Sequence, residues 1–348
     1  MPFPRRARLV AGLAAAAAAV AATALLAPAA AADQTDHPAA CRTVRVPVTI
    51  LGGAGDVAGT LCGPLDASVV QVLVHGYTYG QYYWDLPYEP DTYSYVRHAS
   101  EAGQATLNID RIGTGDSSHP LSATLTYDNH ADAVHQVIQA VRRGDLGGHF
   151  EKVVLVGHSY GSVTAYLEAG RYQDVDGVIA TGGGHKLNAV TLATDVAANT
   201  VPVALDPKYR DAGLDPGYMT TRPGSRGVFY HLPNADPAVV ALDEELKGTG
   251  NDLELATAAT FLTRTESTAI NVPVLTVNGS EDSIFCSAGA SDCSSADALA
   301  TQEAGYFGPG ATSEAFVVPG GGHDVNLERT APLAYDAMTA FVLRHFGR

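Results

Sequence analysis

The chain is short of cationic side chains, with 21 Lys+Arg against 37 Asp+Glu in 348 residues and a formal net charge of −16. Such a surface gives no electrostatic footing for nucleic acid or for an anionic membrane. Cysteine is scarce as well, at four residues. No Cys-x-x-Cys pair occurs, and no His/Cys spacing suits zinc. Four cysteines allow three pairings and fit a disulfide role in an oxidising compartment. Local pairing favours Cys41 with Cys62, on either side of the first predicted hairpin, and Cys286 with Cys293, around a short loop. Internal repeats are absent. The one low-complexity tract is a run of alanines near the N-terminus.

That tract reads as an export signal. Arg5, Arg6 and Arg8 precede an apolar run from Leu9 to Leu26, and Ala30-Ala31-Ala32 forms a small-residue cleavage site before Asp33. The run is near the minimum length for a membrane span, but its alanine content and its Ala-x-Ala end favour cleavage over anchoring. Pro4-Arg5-Arg6 lacks the flanking pattern of a twin-arginine signal. The expectation is a signal peptide at 1–32 cleaved near Ala32, a linker at 33–40, and a secreted, extracellular product with no stable membrane anchor. Cleavage would remove three arginines and no acids, taking the charge from −16 to −19. Hydrophobic residues make up 46% of the chain and charged ones 17%, enough for a sizeable core.

Val44 to Ile50 and Asp56 to Leu61 predict two strands joined by a turn at Gly52-Gly53-Ala54-Gly55. Apolar-rich stretches predict six more, at Val69–Val74, Ala105–Ile109, Val153–Val156, Val175–Ala180, Val272–Val277 and Ala315–Val318. A helix is expected from Tyr127 to Arg143, on the spacing of Ala131, Val134, Val137, Ile138 and Val141. Others are expected at Ser162–Gly170, Ala296–Gln302 and Pro332–Phe346. Alternating strands and helices imply a parallel sheet with right-handed crossovers, to which the first hairpin adds an antiparallel edge. Between His185 and Ile270 the rhythm breaks. Helical stretches at Pro237–Leu246 and Leu253–Thr265 stand between Pro/Gly-rich turns, with no convincing buried strand. So long a segment is unusual as bare loop. The expectation is one domain at 41–348, with a mostly helical cap insertion at about 185–270 over the C-terminal edge of the sheet.

Chemistry concentrates where these strands end. The run Val153-Val154-Leu155-Val156 stops at Gly157-His158-Ser159-Tyr160-Gly161 and a helix follows, which is the Gly-x-Ser-x-Gly elbow that lifts a serine hydroxyl out of a sheet. A serine is a poor nucleophile at neutral pH unless a base takes its proton and a third group orients that base. In open parallel sheets functional groups gather outside the C-terminal ends of strands. Val272–Val277 runs into Asn278-Gly279-Ser280-Glu281-Asp282, and Ala315–Val318 into Pro319-Gly320-Gly321-Gly322-His323. Glu281 competes with Asp282 as the acid; spacing from Gly279 favours Asp282. His158 is expected to point away from the nucleophile, and His185, after the Val175–Ala180 strand, is a candidate pocket residue. The stretch Tyr77–Tyr95 holds seven of the 16 tyrosines and the single tryptophan, Trp84. It either walls a pocket for an apolar or aromatic group, with His75, Tyr79 and Trp84 as candidates, or packs beneath the insertion. Asp110–Ser117 reads as a hydrogen-bonded loop whose glycines match no phosphate-binding pattern.

Five motifs stand in order at strand ends: His75-Gly76, Asp110 with Gly113-Thr114-Gly115-Asp116-Ser117, Gly157–Gly161, Gly279 with Asp282, and Gly322-His323. Over most of its mature length the chain therefore resembles the α/β-hydrolase superfamily, and within it the serine esterases and lipases. The resemblance implies an α/β fold with a mostly parallel twisted sheet of about eight strands and helices on both faces. It implies Ser159 as nucleophile, His323 as general base and then acid, and Asp282 as the carboxylate that fixes the imidazole tautomer. It also implies an oxyanion hole from the backbone N–H groups of Tyr77 and Tyr160, and neither cofactor nor metal. The expected reaction is hydrolysis of a small-molecule carboxylic ester, apolar or aromatic, through an acyl-enzyme. Amidase or peptidase, lactonase, thioesterase and perhydrolase chemistry fit the same triad, and a non-catalytic binding protein on this scaffold is the other class. A serine at the elbow, where an aspartate would be needed, argues against epoxide hydrolase or dehalogenase chemistry.

Overall fold

Ten residues from Cys41 to Ile50 (β1) pair antiparallel with Gly53–Cys62 (β2), in register from Cys41 opposite Cys62 to Ile50 opposite Gly53. The structure, a computed structural model, describes residues 41–347. The expected signal peptide (1–32) and linker (33–40) lie outside the described residues. The hairpin turn is tighter than expected, because Gly53-Ala54-Gly55 belong to β2 and leave only Leu51-Gly52 as the connection. So short a loop needs left-handed backbone, which Gly52 supplies at φ 110°. A disulfide joins Cys41 and Cys62 across the open end of the hairpin, and a second joins Cys286 and Cys293.

The chain continues through β3 (Val69–Val74), β4 (Ala105–Ile109), β5 (Lys152–His158) and β6 (Gly177–Thr181). Three short strands follow, β7 (Thr200–Pro202), β8 (Tyr218–Thr221) and β9 (Gly250–Asn251), and then β10 (Val274–Gly279) and β11 (Ser313–Val318). Eight of these form one sheet in the order β1-β2-β4-β3-β5-β6-β10-β11. It is antiparallel from β1 to β4 and parallel from β4 to β11. Every residue of β3, β4, β6 and β10 is buried. That explains their richness in Val, Ile and Leu, since a strand covered on both faces has no solvent side to mark with alternating polar residues; Gln71, Thr106 and Asn108 are buried polar exceptions.

The helices are α1 (Pro90–Tyr93), α2 (Tyr95–Glu101), α3 (Tyr127–Arg142), α4 (Tyr160–Tyr172), α5 (Ala189–Thr191), α6 (Pro237–Leu246), α7 (Asp252–Ala256), α8 (Ala296–Ala304) and α9 (Ala331–Phe346). Thr126 caps α3 by accepting from Asn129 N–H. α3 packs on α4, while α1 and α2 pack on α9. No helix among the described residues is long and apolar enough to cross a membrane.

Helices and helical turns supply most of the regular structure of the segment 185–270, but not all of it. It carries the small antiparallel sheet β7-β8-β9, the ten-residue α6, the five-residue α7 and several 3₁₀ turns. Strands of two to four residues are too short for alternation to register as a pattern. Where one helix was expected over Leu253–Thr265, α7 ends at Ala256 and a 3₁₀ turn takes over at Ala258–Thr263. Thr257, Thr260 and Thr263 each turn a hydroxyl back onto a carbonyl three or four residues earlier. That local competition with the backbone ladder disfavours a continuous α-helix.

Candidate active site

The strand β5 ends at His158, Ser159 follows at φ 52° and ψ −115°, and α4 begins at the next residue. Such a backbone costs a non-glycine residue about 1–3 kcal/mol and must be held in place by its surroundings. Ser159 N–H is tied to Thr181 O at 2.9 Å. The flanking glycines are required by contact. A Cβ on Gly157 would lie 2.3 Å from Gly161 O, and one on Gly161 would lie 2.2 Å from Val74 O. Gly76, at the end of β3, faces Ser159 so closely that a Cβ there would stand 3.2 Å from Ser159 Cβ.

Two later loops reach the serine. Asp282, after β10, accepts at Oδ1 from Ile284 N–H (2.8 Å) and Phe285 N–H (3.0 Å). Its Oδ2 then lies 3.0 Å from Nδ1 of His323, which follows β11. His323 Nε2 is 2.9 Å from Ser159 Oγ. Glu281, the alternative acid, is exposed, and its carboxylate accepts from the neighbouring Ser280 hydroxyl at 3.4 Å. Burial works to lower the His323 pKa, but the charge and hydrogen bond of Asp282 outweigh it and the value is raised. A carboxylate at Nδ1 keeps the proton there and leaves the Nε2 lone pair facing the serine hydroxyl.

A cavity of about 620 Å³, its mouth included, opens on Ser159 and His323. Tyr77, Tyr79 and Tyr160 line it, beside Tyr127, Phe261 and Phe285. Tyr77 follows Gly76, and Tyr160 is the first residue of α4, where a backbone N–H has no partner within the helix. Eight of the seventeen lining residues belong to the 185–270 segment, so that segment forms nearly half of the wall. Among the described lining residues Glu254 is the only carboxylate. Its charge is spent on Arg111 Nη1 at 2.6 Å and on His130 Nε2 at 2.9 Å.

Three residues expected to line the pocket do not. His75 is fully buried, with Nδ1 at 2.9 Å from Gly76 O and Nε2 at 3.1 Å from Arg111 N. Burial, reinforced by Arg111, holds its pKa well below the ordinary value. Trp84 is fully buried, edge-on to Tyr83 and tilted against Tyr95. His185 sits in a separate buried network, Nδ1 at 2.7 Å from Glu303 Oε2 and Nε2 at 2.9 Å from Ser267 Oγ, stacked on Tyr306. Position after a strand puts each near the site in sequence, but the two imidazoles find their partners inside the fold and the indole packs into the core. The Tyr77–Tyr95 stretch divides accordingly: Tyr77 and Tyr79 reach the cavity, while Tyr83, Tyr93 and Tyr95 join Trp84 in the core. His158 stacks on Tyr83 at 4.0 Å and lies 3.3 Å from Asp324, turned away from Ser159 Oγ. Tyr127 and Phe261 carry no local signal in the sequence, because the rings they meet, those of Tyr160 and Tyr166, are distant in the chain.

Elsewhere, His135, Glu168 and Asp174 bring ligand-type atoms within 4.8 Å of one another, and none of the three lines the cavity. Burial pushes the Glu168 carboxyl well above its ordinary range and Asp174 adds to the shift.

Residues 71–337 match the profile of the alpha/beta hydrolase family. Among solved structures the chain is similar to a thermophilic esterase from Thermogutta terrifontis, at 19% identity and a TM-score of 0.59, over 87% of this chain and 99% of that one. It is similar to a bromoperoxidase from Bacillus anthracis at 18% identity and a TM-score of 0.58, over 86% and 99% of the two chains. It is similar also to a soluble variant of monoglyceride lipase from Saccharomyces cerevisiae, at 14% identity and a TM-score of 0.58, over 84% and 92%. Identities this low speak for the fold alone. The sheet order, the elbow at Ser159 and a profile match over more than half of the 348 residues lead to one assignment: the chain belongs to the alpha/beta hydrolase family.

Proposed function

We propose that the protein is a secreted serine hydrolase of small carboxylic esters that works through an acyl-enzyme. The observation that carries this reading is the hydrogen-bond chain from Ser159 Oγ to His323 Nε2 (2.9 Å) and from His323 Nδ1 to Asp282 Oδ2 (3.0 Å), built on a serine in a strained elbow. In the first step Ser159 Oγ attacks the ester carbonyl carbon and His323 Nε2 takes the hydroxyl proton. The carbonyl π electrons move to oxygen, and the N–H groups of Tyr77 and Tyr160 bind the oxyanion, each such donor being worth about 3 kcal/mol. Collapse expels the alcohol, which receives its proton from His323. Water, deprotonated by the same imidazole, then releases the acid and restores Ser159. Asp282 balances the imidazolium throughout. The two disulfides and the N-terminal export pattern support action outside the cell.

The tyrosine- and phenylalanine-rich wall supports a neutral apolar or aromatic group on the substrate, with the 185–270 segment as its cap. A series of p-nitrophenyl esters beside a matching peptide anilide tests this. Uncharged short and aromatic acyl groups are expected to give the highest kcat/KM, with the anilide at least about 10²-fold slower. Faster turnover of the anilide would move the assignment to an amidase or peptidase, and a preference for anionic acyl groups would refute the apolar pocket.

The raised pKa of His323 adds a pH dependence. Only neutral imidazole can accept the serine proton, so activity is lost as pH falls through the His323 pKa. The acid limb of kcat/KM, which reports the free enzyme, is expected at a midpoint above the usual histidine value of about 6.5. A midpoint below that value would mean that Asp282 does not govern the base.

A further inference from the structure

We propose that Arg111, held by Glu254 of the 185–270 segment, positions the Gly76–Tyr77 peptide that binds the oxyanion. The proposal rests on the ester-hydrolase reading and extends it to a residue that does not line the cavity.

Arg111 follows β4 and is almost completely buried. Its Nη2 donates to Gly76 O at 3.2 Å, and His75 Nδ1 reaches the same carbonyl at 2.9 Å. The depressed pKa of His75 keeps that imidazole neutral, so Nδ1–H can donate while Nε2 accepts from Arg111 N–H. Gly76 C=O and Tyr77 N–H belong to one planar trans peptide and point in opposite directions. Two donors on the carbonyl therefore fix where the N–H points, and a cation at the oxygen polarises the unit so that the N–H is the stronger donor. The guanidinium also packs on the Tyr160 ring, with Cζ 4.5 Å from its centroid. One side chain thus touches the carbonyl of the Gly76–Tyr77 peptide and the ring of Tyr160.

A buried guanidinium needs a counter-charge, and Glu254 provides it through the 2.6 Å contact to Nη1. Burial raises the Glu254 pKa, but Arg111 and His130 outweigh it and bring it down to about 2, so the carboxylate stays ionised. Glu254 is fixed in turn by Asn251 N–H at 2.7 Å, and the Tyr77 hydroxyl donates to Asn251 O at 3.4 Å. The segment that walls the pocket is linked in this way to the peptide that stabilises the transition state. Lysine cannot reproduce the link, because a single ammonium lacks the planar fork that serves Glu254 and Gly76 O together while stacking on Tyr160.

The test compares the full-length mature protein with Arg111→Lys and Glu254→Gln, after active-site titration with a fluorophosphonate. The readouts are kcat per titrated site, KM, and Ki for a trifluoromethyl ketone, whose serine adduct carries an oxyanion. Arg111→Lys is expected to lower kcat about 10²-fold, the scale of one mislaid oxyanion donor, with KM within about twofold and Ki weakened in parallel. Glu254→Gln keeps the shape, loses the charge and should give a smaller change of the same kind; it serves as the primary variant if Arg111→Lys does not fold. A lower melting temperature with unchanged kcat per site and unchanged Ki would make the pair merely structural and overturn the proposal. Wild-type protein that fails to label at Ser159 would instead defeat the ester-hydrolase reading itself, and a labelled wild type separates the two failures.

Discussion

Replacement of Ser159 by alanine is expected to cut kcat by about 10⁶-fold, the scale seen when the nucleophile of an interdependent triad is removed. The fold should survive. Ser159 Oγ makes its hydrogen bond to His323 and caps nothing in α4, so the loss to stability is that of one hydrogen bond, about 1 kcal/mol. Alanine meets the same backbone strain at φ 52° as serine does. The glycine contacts at 157 and 161 that shape the elbow are untouched. Ester turnover, fluorophosphonate labelling and thermal unfolding, measured on one preparation, check the three parts of this expectation. Turnover within tenfold of wild type, in a variant that no longer labels, would show that Ser159 is not the nucleophile.

The second large effect belongs to Asp282→Asn, for which a loss of about 10⁴-fold in kcat is expected. Its cause lies in the local hydrogen bonds. Oδ1 accepts from Ile284 N–H and Phe285 N–H, so an asparagine must leave its carbonyl oxygen there and turn its NH₂ toward His323. Nδ1 then has to accept, the imidazole proton moves to Nε2, and a proton faces Ser159 Oγ where a lone pair is needed. The variant should also lose the main influence that raises the His323 pKa, moving what remains of the acid limb to lower pH. A variant within tenfold of wild type, or with an unmoved acid limb, would remove Asp282 from the proposed triad.

Much of this architecture could be read from the chain before the fold was known. The strands of the large sheet are legible because burial on both faces writes them as apolar-rich runs, as in Val69–Val74 and Val153–Val156. Ser159, Asp282 and His323 are legible because each follows such a run within a few residues, and they meet within hydrogen-bond distance. α1 and α2 were not legible, being only four and seven residues long. The strands β7, β8 and β9 escaped for want of length. His75 and His185 show the limit of reading by position: both follow strands, and both spend their ring nitrogens on buried partners. The cavity wall was the least legible part, because Tyr127, Phe261 and Phe285 meet only through long-range packing.

The contribution of residues 185–270 to the cavity has a consequence for how such a pocket can diversify. Ser159, Asp282 and His323, the groups proposed to break the bond, all fall outside that segment, whereas eight of the seventeen lining residues fall within it. A transplanted segment from a relative could therefore give the protein a new appetite while the reacting atoms stay in place. Glu254 sets the condition on any such transplant. A donor without an acid at that point would strand the Arg111 cation in the interior, and the chimera would have to lose both charges together or keep both.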